Sequence, residues 1–342
     1  MIVQFTLHPT AFFLNGQDHA QRVSIVKTVE KYWLHSGLFV HLSECPDGQL
    51  LSEMLASLDP EIRKLWKELL MQANRRSRIR ACSKETIGAF KNEPAACLRQ
   101  LARTVELVCL DSKDGPAFSI PADQPCFLDA ATGIEVCRID CVESSKAFSA
   151  AYDKLKGAFR KGETRERILN DFIEPHAKLH SKIVVVDRYA IERHIEGNGS
   201  PTGFVSILRS LNSMPNSIYL TIYSAICTID TKAWTDNIRT TLKKLGPGSL
   251  AEVVVYLCPP KLFSKNVHHR YIQFGPDAAL FLDFGLELLE SAVVQKNCKY
   301  HYDWSRLIIE ESESALRQGV RPIRFEQGDG LAKAPQSITS GK

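Results

Sequence analysis

The amino-acid sequence predicts an α/β protein with two domains. The chain of 342 residues is long enough for two hydrophobic cores, and its apolar and charged fractions, 44% and 24%, are ordinary for a globular protein. In the second half, apolar runs of strand length alternate with segments of helical period, and this order predicts a largely parallel sheet. We expect a mixed α/β domain over residues 1–150, an α/β domain over residues 151–325, and a disordered tail over residues 326–342.

The first half reads as short strands between amphipathic helices. A strand is expected within residues 1–14, and Asp18 and Gly37 are placed to begin and end the first helix. Asp59 and Pro60 supply an N-cap and an N1 proline for a helix over residues 60–80. The remaining expected elements are helices over 48–58 and 95–102 and strands over 38–42, 105–110, 117–120 and 134–142.

Four arginines lie close together at the end of the helix predicted over residues 60–80: Arg75, Arg76, Arg78 and Arg80. Such a cluster can bind the phosphates of nucleic acid. It can equally be a solvated helix end, where cations complement the helix dipole. The absence of interleaved aromatic residues favours the second interpretation slightly.

Composition restricts the class of protein further. The net charge of +4 permits an anionic partner without requiring one. Ten cysteines are scattered with no Cys-x-x-Cys pair, so a zinc site of the usual spacing is not expected, and neither is any other metal or cofactor. With no secretory signal and no apolar run of membrane-spanning length, the sequence predicts a reduced cytoplasmic protein without a membrane association.

The second half begins with a charged linker around residues 143–166. Helices are expected over residues 146–159 and 164–179, the latter interrupted at Pro175. A continuous apolar run at residues 182–191 predicts a central strand covered on both faces. Further helices are expected over 203–213, 231–245 and 303–318, and further strands over 217–226, 251–257, a later hairpin and 321–325.

Polar side chains follow the central strands where each strand ends. The end of the first predicted strand carries Asp187, Arg188 and Tyr189, and Tyr223 lies near the end of the second. Ligands of parallel sheets bind beyond the carboxyl ends of the strands, so these residues are candidates for a site. The later hairpin opens with His268 and Arg270. An imidazole can attack phosphorus or carry a proton, and a guanidinium binds phosphate oxygens in pairs, so this combination suits phosphate chemistry.

This part of the chain, residues 164–290, resembles the phospholipase D-like superfamily. His268-x-Arg270 stands where the family has His-x-Lys, at the start of a hairpin after a β-α-β-α-β run. Phe284-Gly285-Leu286-Glu287 stands where the family has a glycine-containing segment on the second hairpin strand. The Arg-Tyr-Ile variant is similar to a divergent branch that includes the C-terminal domain of some MIT-domain proteins and single-unit proteins of bacterial genomes.

The resemblance implies a metal-independent phosphodiesterase. One histidine attacks phosphorus, and a histidine from a second unit protonates the leaving oxygen, so a single-unit chain is expected to form a homodimer. His268 would be the nucleophile or acid, Arg270 would hold the scissile phosphate, and the cleft would be lined by Asp187, Arg188, Tyr223 and Glu287. Nucleic acid is the expected substrate, and the bacterial relatives suggest a role in anti-phage defence.

Two departures from the family pattern leave alternatives open. Arginine replaces the family lysine, and the expected aspartate would fall at Gly275, with Asp277 out of register. A catalytically inactive module that binds nucleic acid or a protein partner is therefore the second hypothesis. A lipid-acting enzyme is a weaker third, because no amphipathic membrane helix is visible.

A second placement of the motif also exists, because His180-x-Lys182-x4-Asp187 satisfies the family spacing in full. It precedes the strand-helix run instead of following it. On topology alone the sequence therefore favours His268 over His180.

Overall fold

The computed structural model divides the chain into two compact units, Met1–Lys154 and Leu155–Lys342, against a predicted division at residue 150. The structure describes residues 2–41, 55–81, 93–102, 104–121, 123–197, 202–225, 231–265, 269–276, 278–304, 306–317, 320 and 322–326. Each unit holds a sheet with helices, which confirms the α/β class. The tail predicted over 326–342 lies outside the described residues except for its first position, and so does most of the helix predicted over 48–58.

The sheet of the first unit is parallel apart from one edge strand. Its strands are β1 Val3–Leu7, β2 Gly37–His41, β3 Ile79–Ala81, β4 Leu107–Leu110, β5 Cys126–Leu128 and β6 Glu135–Arg138. They are arranged in the order β3-β2-β1-β4-β6-β5, and only β5 runs antiparallel to its neighbour. The order reverses direction on either side of β1, as it does in doubly wound sheets.

Within the described ranges of this unit, the α-helices of eight or more residues are α1 His19–Ser36, α2 Pro60–Arg75, α3 Pro94–Leu101 and α4 Lys146–Asp153. Asp18 and Gln21 form a capping box at the start of α1, and Asp59 caps α2, as the sequence predicted. Short 3-10 helices span Pro9–Phe12, Ser112–Phe118 and Ile139–Ser144. The core is aromatic, with the ring of Phe5 packed edge-on against Trp33 at 5.4 Å.

Four predicted elements between residues 60 and 159 differ from the structure. The strand predicted over 134–142 ends at Arg138, where the 3-10 helix Ile139–Ser144 begins. The helix predicted over 60–80 ends at Arg75, because Ser77 adopts a left-handed φ of 54° and the chain turns into β3. The strand predicted over 117–120 is replaced by the 3-10 helix Ser112–Phe118. The helix predicted over 146–159 ends at Asp153, and Lys156–Phe159 forms β7 of the second unit, paired with a strand 140 positions away.

The second unit contains an eight-stranded mixed sheet. Its strands are β7 Lys156–Phe159, β8 Lys182–Val186, β9 Ile218–Ala225, β10 Leu250–Cys258, β11 Tyr271–Phe274, β12 Ala278–Leu282, β13 Cys298–Asp303 and β14 Ile323–Glu326. The order is β14-β10-β9-β8-β11-β12-β13-β7. Only β8, β9 and β10 are mutually parallel, so the predicted parallel arrangement holds for this central part, and the hairpin β11-β12 adds antiparallel strands beside β8.

The first helix of this unit is interrupted where the sequence predicted. Arg165–Ile168 (α5) continues through a π-helical turn, Leu169–Ile173, into Glu174–Ala177 (α6). Pro175 has no N–H to donate and would clash with a carbonyl of the preceding turn, which explains the wider turn before it. The remaining α-helices are α7 Ala190–Glu196, α8 Gly203–Asn212, α9 Thr231–Leu245, α10 Pro260–Lys265 and α11 Arg306–Arg317, and Gly285–Leu289 is a 3-10 helix.

The two faces of the second sheet pack against different partners. Side chains such as Ile183, Val185 and Ile272 join the larger core with helix α8. The alternate side chains Val186 and Tyr271 join a smaller cluster on the other face, which includes Leu316 of α11. Because successive side chains of a strand point to opposite faces, this division decides which residues can meet at the carboxyl end of β8.

Candidate functional site

Asp187 follows the last residue of β8 and is only 3% exposed. Its Oδ1 accepts the backbone N–H of Tyr189 at 3.0 Å, and its Oδ2 accepts the backbone N–H of Leu286 at 2.6 Å. The carboxylate therefore ties the end of β8 to the 3-10 helix Gly285–Leu289, which follows the hairpin. It fixes the backbone of the site and does not face solvent.

The charge of Asp187 is balanced by opposing effects. Burial raises the pKa of its carboxyl group, because a charged group is poorly solvated inside the protein. The two backbone N–H donors and the nearby guanidinium groups of Arg270 and Arg193 act in the opposite direction and favour the ionised form. Asp187 and Arg270 thus belong to one electrostatic cluster.

Gly285 brings the two motif segments into contact. Its φ is +57°, and a Cβ at this position would lie 2.3 Å from Asp187 Oδ2 and 2.7 Å from Arg270 Cδ. Both the backbone conformation and the space therefore require glycine. The hairpin entrance, the end of β8 and the glycine-containing segment converge at this point.

Two arginines lie against one tyrosine ring in this cluster. The guanidinium carbon of Arg270 is 4.9 Å from the centre of the Tyr189 ring, and that of Arg188 is 5.3 Å from it. Both distances are within the range of a cation–π contact. In the described ranges, no carboxylate forms an ion pair with either guanidinium, and all three side chains are partly exposed.

Glu287 lies in the 3-10 helix Gly285–Leu289, where it forms ion pairs with two cationic side chains. Its carboxylate is 2.9 Å from Arg193 Nη2 and 3.3 Å from Lys296 Nζ, and Arg193 also contacts Glu290 at 3.1 Å. The sequence had placed Glu287 in the cleft. The structure places it beside the cluster as part of an ion-pair network that holds the 3-10 helix Gly285–Leu289 against α7.

Tyr223 does not join this cluster, although the sequence placed it in the cleft. Tyr223 pairs in register with Val186, and Tyr271 pairs with the same residue, so these side chains share one face of the sheet. Asp187 follows Val186 and Arg270 precedes Tyr271, so each is one position away from this row of paired residues. The Tyr223 ring stacks on Tyr256 at 4.7 Å and its hydroxyl contacts Arg317, while burial raises its pKa.

His268 and Asp277 lie outside the described residues. The described part of the motif is therefore Arg270, together with His269. The exposed His269 ring meets Phe281 edge-on at 5.7 Å, and Phe281 pairs in register with Tyr271. The His269 side chain therefore lies on the same face of the sheet as Tyr223, and not on the face of Arg270.

The competing histidine, His180, lies at the amino end of β8. It is 6% exposed, and the backbone of Gly275 packs so closely that a Cβ there would be 2.4 Å from His180 Nδ1. Strand β8 separates His180 from Asp187 by about 20 Å at the rise of an extended chain. This burial, at the end of the sheet away from the Arg270 cluster, favours the hairpin as the site.

The arginine cluster of the first unit is not a continuous surface patch. Arg75 and Arg80 are exposed and Arg76 is partly exposed, whereas Arg78 is 1% exposed. Arg78 sits between α2 and β3, where its carbonyl accepts the indole N–H of Trp33 at 2.9 Å. The prediction that Arg78 binds nucleic acid is therefore wrong, because the side chain is enclosed by the core.

The described ranges also limit other kinds of site. They contain no group of three or more His, Cys, Asp or Glu side chains that could hold a metal ion. Within the same ranges, no helix is both long and apolar enough to cross a bilayer.

Three residues of the site have contacts that the sequence does not show, although Tyr189 is among the candidates named at the end of the first strand. Tyr189 and Gly285 stood inside segments that the sequence singled out, and the left-handed glycine could have been suspected from the turn it occupies. Arg193 carried no signal, because its partners Glu287 and Glu290 are remote in sequence.

No protein-family model matches the chain, and no curated protein matches it. What the chain does is therefore inferred from the chemistry of Arg188, Tyr189, Arg270 and Asp187.

Proposed function

We propose that residues 164–290 form a phospholipase D-like module that hydrolyses phosphodiester bonds of nucleic acid without a metal ion. One observation carries the proposal: Arg270, Asp187 and Gly285 meet where the carboxyl end of β8 adjoins the hairpin. Arg270 belongs to the His-x-Arg motif and Gly285 to the later segment. The resemblance assigns both segments to one site, and they lie close together although both strands of the hairpin, β11 and β12, separate them in sequence.

Arg270 is suited to hold the scissile phosphate. Its guanidinium is partly exposed and, among the described residues, has an aromatic ring as a neighbour instead of an ion-paired carboxylate. A phosphate oxygen pair can therefore take the donors of the fork. Arginine in place of lysine keeps the charge and allows a bidentate contact.

In the proposed reaction His268 attacks phosphorus. The phosphorus–oxygen bond to the leaving group breaks as a phosphorus–nitrogen bond to the imidazole forms, and the histidine of a second copy protonates the leaving oxygen. Water then attacks the phosphorus, gives up a proton to that second histidine, and releases His268. A chain with one motif needs a homodimer for this sequence of steps.

Asp187 acts as a positioning residue in this proposal. Its oxygens hold the backbone of Tyr189 and Leu286, and its charge lies close enough to Arg270 to stabilise the guanidinium there. It makes no contact that would identify it as a general base. The similarity to single-unit bacterial proteins extends the proposal to a cytoplasmic nuclease in anti-phage defence.

A catalytically inactive module that binds nucleic acid is the second candidate, and one observation favours it. The family aspartate would fall at Gly275, which packs against His180 at the other end of β8, and each oxygen of Asp187 already accepts a backbone N–H. An imidazole held by no carboxylate is a weaker nucleophile. Such a module would keep the phosphate contacts of Arg270 and lose the chemistry.

Cleavage of labelled single- and double-stranded DNA and RNA in EDTA distinguishes the candidates. The proposal predicts cleavage by the wild type, loss in His268→Ala and Arg270→Gln, and retention in the matched controls His269→Ala and Arg209→Gln. His269 and Arg209 are exposed and lie outside the cluster. Binding without cleavage by the wild type supports the inactive module, and cleavage that survives His268→Ala but not His180→Ala contradicts the placement of the site.

A further inference from the structure

The ring of Tyr189 holds two arginines close together. The guanidinium carbons of Arg188 and Arg270 both lie within about 5 Å of the ring centre, so they are no more than about 10 Å apart. The position of Tyr189 is itself fixed, because its backbone N–H donates to Asp187 Oδ1. The ring that both guanidinium groups contact therefore belongs to a residue held by Asp187, the buried carboxylate that organises the site.

Several other arginines of this unit form ion pairs, whereas Arg188 and Arg270 form none among the described residues. Arg193, Arg317 and Arg324 each have a glutamate oxygen within 2.6 to 3.1 Å. No such partner lies beside Arg188 or Arg270 among the described residues, and the buried charge of Asp187 acts on Arg270 and Arg193. Two like charges held within about 10 Å of each other repel, and this repulsion is relieved when anions bind beside them.

The geometry points to a second phosphate subsite: Arg188 binds the phosphate next to the one that Arg270 holds, and Tyr189 positions both guanidinium groups. The ligand class is therefore a single strand of nucleic acid with at least two consecutive phosphates. This inference rests on the proposed function, because it takes Arg270 as the contact to the scissile phosphate.

The subsite is tested by comparing two short ligands that differ by one phosphate, dTpdT and dTpdTpdT. Binding is measured by calorimetry in EDTA with the full-length His268→Ala protein, so that the ligands survive. We expect the trinucleotide to bind at least about tenfold more tightly, as an added arginine–phosphate contact would give. Arg188→Gln should remove most of this preference, whereas Arg270→Gln should weaken the binding of both ligands.

Salt dependence gives an independent readout of the same contact. Each phosphate contact to a single strand contributes about 0.7 to the slope of log K against log salt. Arg188→Gln should lower the slope for the trinucleotide by about that amount, and the exposed control Arg209→Gln should leave it unchanged. Tyr189→Phe should retain the trinucleotide preference and Tyr189→Leu should lose it, because only the ring is needed to position the cations.

Failure of the inference can be told apart from failure of the proposed function. If the wild type cleaves DNA in EDTA but Arg188→Gln weakens both ligands equally, the second subsite is wrong and the hydrolysis stands. If the trinucleotide preference depends on Arg188 but nothing is cleaved, the subsite stands and the hydrolysis is wrong. A trinucleotide that binds no more tightly than the dinucleotide overturns the inference directly.

Discussion

The carboxylate of Asp187 accepts the backbone N–H of Leu286 at 2.6 Å across 99 positions of sequence. This bond joins the end of a parallel strand to the turn that follows the hairpin. Because Gly285 and Arg270 lie against the same carboxylate, one hydrogen bond sets the relative position of both motif segments. The site is therefore organised by a residue that cannot itself touch a ligand.

Replacing Asp187 should destabilise the second unit. Asp187→Ala leaves two backbone N–H groups near a buried site without their acceptor, which costs about 2–4 kcal/mol of unfolding free energy. Asp187→Asn keeps one oxygen and should cost less. Chemical denaturation measures both, with the exposed Asp236→Ala as a control that should stay within about 0.5 kcal/mol of the wild type. Equal stability of Asp187→Ala and Asp236→Ala would show that the hydrogen bonds are not formed.

Gly285→Ala tests the close approach of the two segments. Gly285 and Gly246 both have positive φ, 57° and 71°, but a Cβ at Gly246 has nothing within 4 Å. Gly246→Ala should therefore cost about 1–2 kcal/mol from backbone strain alone. Gly285→Ala should cost about 1–3 kcal/mol more, because the methyl group collides with Asp187 and displaces Arg270. If both substitutions had the same effect on thermal unfolding and ligand binding, the contact would be refuted.

Arg78 and Arg75 should behave differently despite their proximity in sequence. Arg78→Ala removes an enclosed side chain and should lower the unfolding free energy by about 2–4 kcal/mol. Arg75→Ala changes an exposed residue and should have an effect below about 0.5 kcal/mol. Urea denaturation of both variants measures this difference, and a neutral Arg78→Ala would contradict the buried position.

His194 should make the second unit sensitive to acid. Burial lowers its pKa to about 4, and its ring nitrogens lie 3.2 Å from Thr202 Oγ1 and 3.0 Å from Thr241 Oγ1. Between pH 6.5 and about 4 the unfolded chain binds a proton that the folded chain does not, so stability is full above pH 6.5 and falls as the pH decreases. The loss should reach about 3 kcal/mol at most.

The variant His194→Gln isolates this effect, since glutamine does not titrate. Its unfolding free energy should change less between pH 7 and pH 4 than that of the wild type, whatever its stability at pH 7. Parallel pH profiles for the two proteins would assign the acid sensitivity to other groups.

Local sequence signals predicted much of the fold. The caps at Asp18 and Asp59, the interruption at Pro175 and the strand-helix order around β8 all depend on neighbours within a few residues, and the structure confirms them. Residues 156–159 read locally as the end of a helix but form strand β7, because its pairing partner, β13, is remote in sequence. Long-range pairing can override the local preference of a short segment in this way.

The site was less predictable for the same reason. The end of β8 was recognised, but strand position alone does not show which face a side chain occupies, and Tyr223 lies on the face opposite Arg270. The role of Asp187 depends on the Leu286 amide and could not be read from its neighbours. The position of Arg78 likewise involves remote residues, since its carbonyl accepts the indole N–H of Trp33, 45 positions earlier.

The most direct test of the proposed function is a search for the covalent intermediate. Wild-type protein is incubated in EDTA with single-stranded DNA labelled internally with radioactive phosphate, quenched, and analysed for protein-bound label that is stable to base and labile to acid, as a phosphorus–nitrogen bond is. The proposal predicts label on the wild type and on His269→Ala, and none on His268→Ala. Cleavage without bound label, or label that persists in His268→Ala, would contradict it.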